Sequence, residues 1–277
     1  MKKLALIFLL ITLLISCGGQ REEEIKKRVT EIESQKNKDN EDKYLELWTT
    51  GLYWADKDKR TAEKYYLAAA KYNKEAYAMI GNMYYFRGEK EKGKEKYREG
   101  YTKGDMNSAF ELGGVYDAEG NLKEAKEWYM KAAEGEHREA QFNLAGVYDD
   151  EENDIEAEKW YLKAAKKGHT SAMFNLGNLY MRRMKKLQNE SFKKGIKYEE
   201  ELLLAKKFHQ SKINAEEWYL KAIENGSEGA KYNLAVLCEE SNRIEEAKKW
   251  YMESAKSGNE DAKKMLRKMN SEFKESK

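Results

Sequence analysis

With 277 residues, 40% of them hydrophobic and 12% aromatic, the chain has enough apolar mass for a folded core, which excludes wholesale disorder. It contains no Pro, 37% of its residues are charged, and Ala, Glu, Lys and Leu abound, a composition that favours helices and argues against an all-β fold. The 52 basic and 50 acidic side chains are too evenly balanced to supply a nucleic-acid-binding stripe.

In chain order, the first element is Lys2-Lys3 followed by an apolar run from Leu4 to Ile11, resuming after Thr12 as Leu13, Leu14 and Ile15. This order predicts a signal peptide over residues 1–16, since a membrane-spanning helix needs about 20 apolar residues. The run closes on Leu14-Ile15-Ser16-Cys17, which resembles the lipobox of bacterial lipoproteins. The resemblance implies cleavage before Cys17, acylation of that cysteine and stable membrane attachment through several acyl chains. Gly18 follows, where an Asp would mark inner-membrane retention, so the expected location is the cell envelope, at the outer membrane if the source cell has one. Cleavage would remove Lys2 and Lys3, leaving 50 basic against 50 acidic side chains, and Cys238 as the one free thiol. No intramolecular disulfide is expected. Residues 17–43 are dense in mixed charge, with only Ile25, Val29 and Ile32 as large apolar groups, and are expected to form a charged tether that is partly helical and partly disordered.

From residue 44 to 277 the sequence repeats. Ala76, Ser108, Ala140 and Ala172 follow one another at intervals of 32 residues, as do Ala230 and Ala262. Four positions on lie Ile80, Leu112, Leu144, Leu176, Leu234 and Leu266, then Gly81, Gly113, Ala145, Gly177 and Ala235, then Tyr84, Tyr116, Tyr148 and Tyr180. Spacings of zero, four and eight draw one face of a first helix. A second helix carries Ala125, Ala157, Ala215 and Ala247, each followed three residues on by a Trp-Tyr pair: Trp128-Tyr129, Trp160-Tyr161, Trp218-Tyr219 and Trp250-Tyr251. Alternation of small and large side chains lets two helices approach to about 8–10 Å. Gly104, Gly168, Gly226 and Gly258 are placed to end the second helices in left-handed conformation. An opening unit at about 45–75, a looser second unit with Gly93 and Gly100, and a polar final helix after Ala262 complete the series.

Segments such as AQFNLAGVYDD (140–150), SAMFNLGNLYM (171–181) and AEKWYLKAAKKGH (157–169) resemble the Sel1-like branch of the tetratricopeptide superfamily. The resemblance implies an all-α fold: a right-handed α-α superhelix, or solenoid, of about six two-helix repeats plus a C-terminal capping helix. The unit is shorter than is usual for Sel1-like repeats, and the disulfides of their cysteine-rich members are missing. One interval departs from the period: Ala172 to Ala230 spans 58 residues, 26 more than its neighbours. The excess, at about 181–214, is expected to form a projecting helical hairpin in which Met181, Met184 and Leu187 continue the first helix, and Leu202, Leu203, Leu204 and Phe208 lie on the second.

The sequence offers little chemistry. His137 and His169 occupy equivalent repeat positions and His209 lies in the insertion, so no metal site is expected, and no cofactor motif appears. Ser191 and Ser271 each begin an S-x-x-K tetrapeptide, but neither S-D-N nor K-T-G accompanies them. A non-catalytic reading follows: a protein or peptide partner held in the groove formed by the first helices. Asn143, Asn175 and Asn233 at position three, with Asn82 and Asn178 at position six, supply carboxamides suited to an extended backbone, or else brace neighbouring helices. Phe110, Phe142, Phe174 and Tyr232 at position two are expected in the inter-repeat core. Two alternatives stay open: a penicillin-interacting or β-lactamase-like enzyme of the Sel1-like group, and a structural envelope-assembly lipoprotein that contacts peptidoglycan.

Overall fold

The computed structural model describes residues 21–35, 39–55, 57–191 and 198–275, with side chains described except at 21–24, 26 and 271–275. The signal peptide and Cys17 lie outside these residues. Among them the chain forms fourteen α-helices and no strand. Contacts divide it into an N-terminal unit ending at His137 and a C-terminal unit beginning at Arg138.

The N-terminal unit contains α1 (Arg21–Ser34), α2 (Asn40–Ala55), α3 (Lys59–Ala69), α4 (Ala76–Phe86), α5 (Lys90–Thr102), α6 (Met106–Ala118) and α7 (Leu122–Glu134). From α2 onward these pair as three antiparallel hairpins, as the repeat predicts. The segment expected to be a tether differs from that expectation. Over α1 it is a docked helix: Ile25 and Ile32 are buried with Leu47, Trp54 and Tyr65, and Val29 packs beside them. The apolar stripe is narrow, but one residue every turn is enough for a single face, and ion pairs fix its flanks. Arg28 reaches Glu46 at 2.9 Å, and Lys71 reaches Glu33 at 2.7 Å. The folded body therefore begins before residue 44.

The C-terminal unit contains α8 (Arg138–Asp150), α9 (Asp154–Lys166), α10 (Thr170–Ser191), α11 (Tyr198–Glu224), α12 (Glu228–Glu240), α13 (Ile244–Lys256) and α14 (Glu260–Glu275). They form three more hairpins and a terminal helix packed on α13. The insertion lengthens one hairpin: α10 has 22 residues and α11 has 27, against 13 in each of α8, α9, α12 and α13. Met181, Met184 and Leu187 are buried in the extension, and Leu204 and Phe208 are half-buried, whereas Leu202 and Leu203 stay exposed. The turn containing Gly195 is outside the described residues.

Each repeat column does one job. The residues that start the units, from Ala76 to Ala262, are fully buried, as are Ile80, Leu112, Leu144 and Leu176. The second-helix Tyr at the register of the Trp-Tyr pairs, Tyr97 included, lies across the first helix of its own hairpin. At Gly81 an added Cβ would stand 2.4 Å from the Tyr97 ring, and at Gly177 2.4 Å from Tyr219, so a hydrogen is all the site admits. Outside, Lys131, Lys163 and Lys221 lie over the indoles of Trp128, Trp160 and Trp218 at 3.7, 3.9 and 4.2 Å. Gly104, Gly168, Gly226 and Gly258 all have positive φ at the ends of second helices. In that same column Glu136 adopts φ 64°, without the steric freedom of Gly.

Candidate functional site

The repeat places a phenol at the same depth in every hairpin, and a buried hydroxyl needs a hydrogen-bond partner. Most of the asparagines expected to face a ligand meet this need. Tyr97 donates to Asn82 Oδ1 at 2.5 Å, and Asn175 Nδ2 donates to the Tyr161 oxygen at 3.0 Å. Tyr219 donates to Asn178 Oδ1 at 2.9 Å, and Asn233 Nδ2 donates to the same oxygen at 2.7 Å. Burial pushes the Tyr219 phenol well above its usual range, and the Tyr161 phenol up to about 12. These asparagines therefore brace hairpins. Asn143 is partly exposed at the same register on α8.

Bracing consumes only part of each carboxamide. Among the described residues nothing accepts from Asn178 Nδ2 and nothing donates to Asn233 Oδ1. Both residues line a cleft of about 540 Å³ between α10 and α12, with Tyr219 and Tyr232 as aromatic walls and Met181 and Val236 as apolar ones. Three cations also line it. Arg182 is bonded to Asp149 and, at 2.8 Å, to Asp154; Lys186 lies 3.6 Å from Asp154, and Lys185 3.2 Å from Glu240. With these charges paired, the cleft offers hydrogen bonds and apolar surface more than net charge.

Sequence reading missed Arg182, Lys185 and Asn189 as cleft residues. Their signal was present: Asn175, Asn178, Arg182, Lys185 and Asn189 follow one another by three and four residues, a polar stripe that runs from the regular repeat into the insertion. The buried stripe of Met181, Met184 and Leu187 on the neighbouring face drew the reading instead. Tyr232, expected in the inter-repeat core, contacts the Tyr251 ring at 5.7 Å but also lines the cleft. Phe110 and Phe142 stack on His137 and His169 at 4.6 and 4.3 Å, which gives those histidines a packing role. No group of three or more His, Cys, Asp or Glu converges as metal ligands among the described residues. Ser191 is exposed and donates to the Gln188 carbonyl of its own helix. Cys238 is buried, and burial pushes its thiol up to about 11.

The family profile of the tetratricopeptide repeat matches residues 107–134 and 229–257, each covering nearly all of a first helix, its turn and all of a second. These two stretches match the tetratricopeptide repeat. No curated protein matches it. Among solved structures, a Sel1 repeat protein from Oxalobacter formigenes is 15% identical, with a TM-score of 0.43 over 95% of this chain and 93% of its own. A protective antigen of uropathogenic Escherichia coli with an SLR fold is 20% identical, with a TM-score of 0.42 over 80% of this chain; the match spans only 56% of the antigen. PilF of Pseudomonas aeruginosa is 18% identical, with a TM-score of 0.48 over 68% of this chain and 77% of its own. At such identities and TM-scores these likenesses say nothing of what this chain binds.

Proposed function

We propose that this protein is a lipid-anchored adaptor of the cell envelope that holds a protein or peptide partner in the groove formed by its first helices, without catalysis of its own. The observation that carries the reading is the pair of half-used carboxamides in the cleft. Asn178 offers N–H donors and Asn233 a carbonyl acceptor, side by side and backed by tyrosines. An extended peptide presents alternating C=O and N–H groups, and this pair suits both. Repeat stacks favour such binding because their first helices form a continuous surface. The lipobox ending at Cys17 supports anchoring in the envelope.

The test is crosslinking capture from envelope extract with the wild-type chain, Asn178→Asp, and Lys185→Ala/Asn189→Ala. Asp keeps the oxygen that Tyr219 and Asn233 need but removes the donors. Capture of the same partner is expected to fall at least tenfold in both variants, with melting temperatures close to wild type. An unchanged set of captured proteins would leave these asparagines as braces alone.

A further inference from the structure

The lengthened helix α11 leaves one side open. Its buried residues Ser211, Ala215, Tyr219 and Ala222 face the stack. Across the helix from them, Leu202, Ile213 and Leu220 are 46%, 44% and 37% exposed. A helix turns about 100° per residue, so these three fall within about 20° of one line, over a length of about 27 Å. Single apolar residues in water are ordinary, whereas three in line make a stripe.

One edge of the stripe is charged. Lys206 and Glu217 lie on the same flank, about 20–60° from the line. Among the described residues Lys206 makes no ion pair. Glu217 bonds Lys221 at 2.6 Å, and with its side chain 54% exposed it has room for a second lysine. The order along the stripe is symmetrical about position 211. Leu202 and Leu220 stand nine residues to either side, His209 and Ile213 two to either side, and Lys206 and Glu217 five and six. A second α11 laid antiparallel, with a two-fold axis level with 211, therefore sets leucine on leucine twice. It also sets Lys206 beside Glu217 twice, because that symmetry keeps each flank on its own side. Parallel pairing would set Lys206 level with Lys206 and Glu217 level with Glu217. The charge order thus selects both the occupant and its direction.

We infer that this side of α11 is a homodimer interface, occupied by the same helix of a second copy running antiparallel. The inference goes beyond the groove reading and does not rest on it. A strip one helix wide is smaller than the roughly 800 Å² per partner of a stable interface, so the dimer forms reversibly as concentration rises. Tyr219, the α11 residue that lines the cleft, is on the other side of the helix, so pairing leaves the cleft uncovered. A partner with two binding segments then meets two clefts.

Sedimentation equilibrium of the full-length chain, with detergent micelles in excess over protein, tests this by charge reversal. Wild type is expected to dimerise. Lys206→Glu and Glu217→Lys should each weaken the dimer about tenfold, since each variant meets like charge at both contacts. An equimolar mixture of the two variants should regain wild-type association, because each then meets its opposite in the other, a recovery that misfolding cannot produce. Leu202→Ser should also weaken association, with an unchanged helical circular-dichroism spectrum. A chain that stays monomeric at every concentration overturns the proposal and leaves the stripe to a lipid surface or an unrelated protein. A dimer indifferent to charge reversal, or a mixture no tighter than its components, overturns it as well.

Discussion

Glu136 and Glu152 hold left-handed backbone at helix ends where other repeats place Gly104, Gly168 or Gly120. A side chain in that region costs roughly 1 kcal/mol, so Glu136→Gly should raise stability by about that amount, and urea unfolding measures it. The reverse holds at Gly81, where Ala would press on the Tyr97 ring; Gly81→Ala is expected to lower stability by about 1–3 kcal/mol. His169 carries a pH prediction. Its Nδ1 accepts from the Ala172 N–H at 3.2 Å, capping α10, and only an unprotonated Nδ1 can do so. Burial holds its pKa below the usual value, so the cap is complete above the unfolded pKa of about 6.5 and its contribution is lost as pH falls through the depressed folded value. Melting temperature should drop from pH 7 to pH 5 by more in wild type than in His169→Asn, since Asn259 caps α14 in the same way without titrating. Asp105, His169 and Asn259 cap their helices from the same column of the repeat, in which Asn73, His137 and Ser227 also stand, a signal the sequence displays in residue types that mostly favour caps. The two histidines concealed it, because imidazole is rarely read as a capping group.

At the scale of elements, the hairpins were legible because small, branched and aromatic residues recur at fixed offsets, and the helix ends were legible from their glycines. The docking of α1 was not. Three apolar residues among so many charges give no indication of whether a receptive surface exists, and that surface, from Leu47 to Tyr65, comes from another part of the chain. Ile32→Ala should therefore destabilise the N-terminal unit by about 2–4 kcal/mol, as expected for a fully buried aliphatic side chain, whereas a free tether would show no change. Hydrogen exchange over residues 21–34 separates the two outcomes. The cleft was half legible: its asparagines stood in the repeat columns, but their division of labour between tyrosine and ligand depends on which atom of each carboxamide is already bonded.

For the whole molecule, the proposed anchor and the folded body make separate demands. The body needs no disulfide and no charge imbalance, since its repeats pack through Ala, Leu and Tyr, and no described helix is long and apolar enough to cross a membrane. The proposed anchor is tested at Cys17. Cys17→Ser is expected to abolish palmitate labelling and signal cleavage while leaving the helical circular-dichroism spectrum unchanged; labelling that persists in the variant would refute the lipobox reading. The long α10–α11 pair sets a rule for how this chain can vary in length. Its two arms run antiparallel and begin and end within the regular stack, so residues can be gained or lost there only in matched steps, a turn from each arm together. Removal of residues 188–191 with 198–201 should leave a folded protein with a shorter hairpin, whereas removing either stretch by itself would shift one arm against the other and expose Met184 and Phe208 to water.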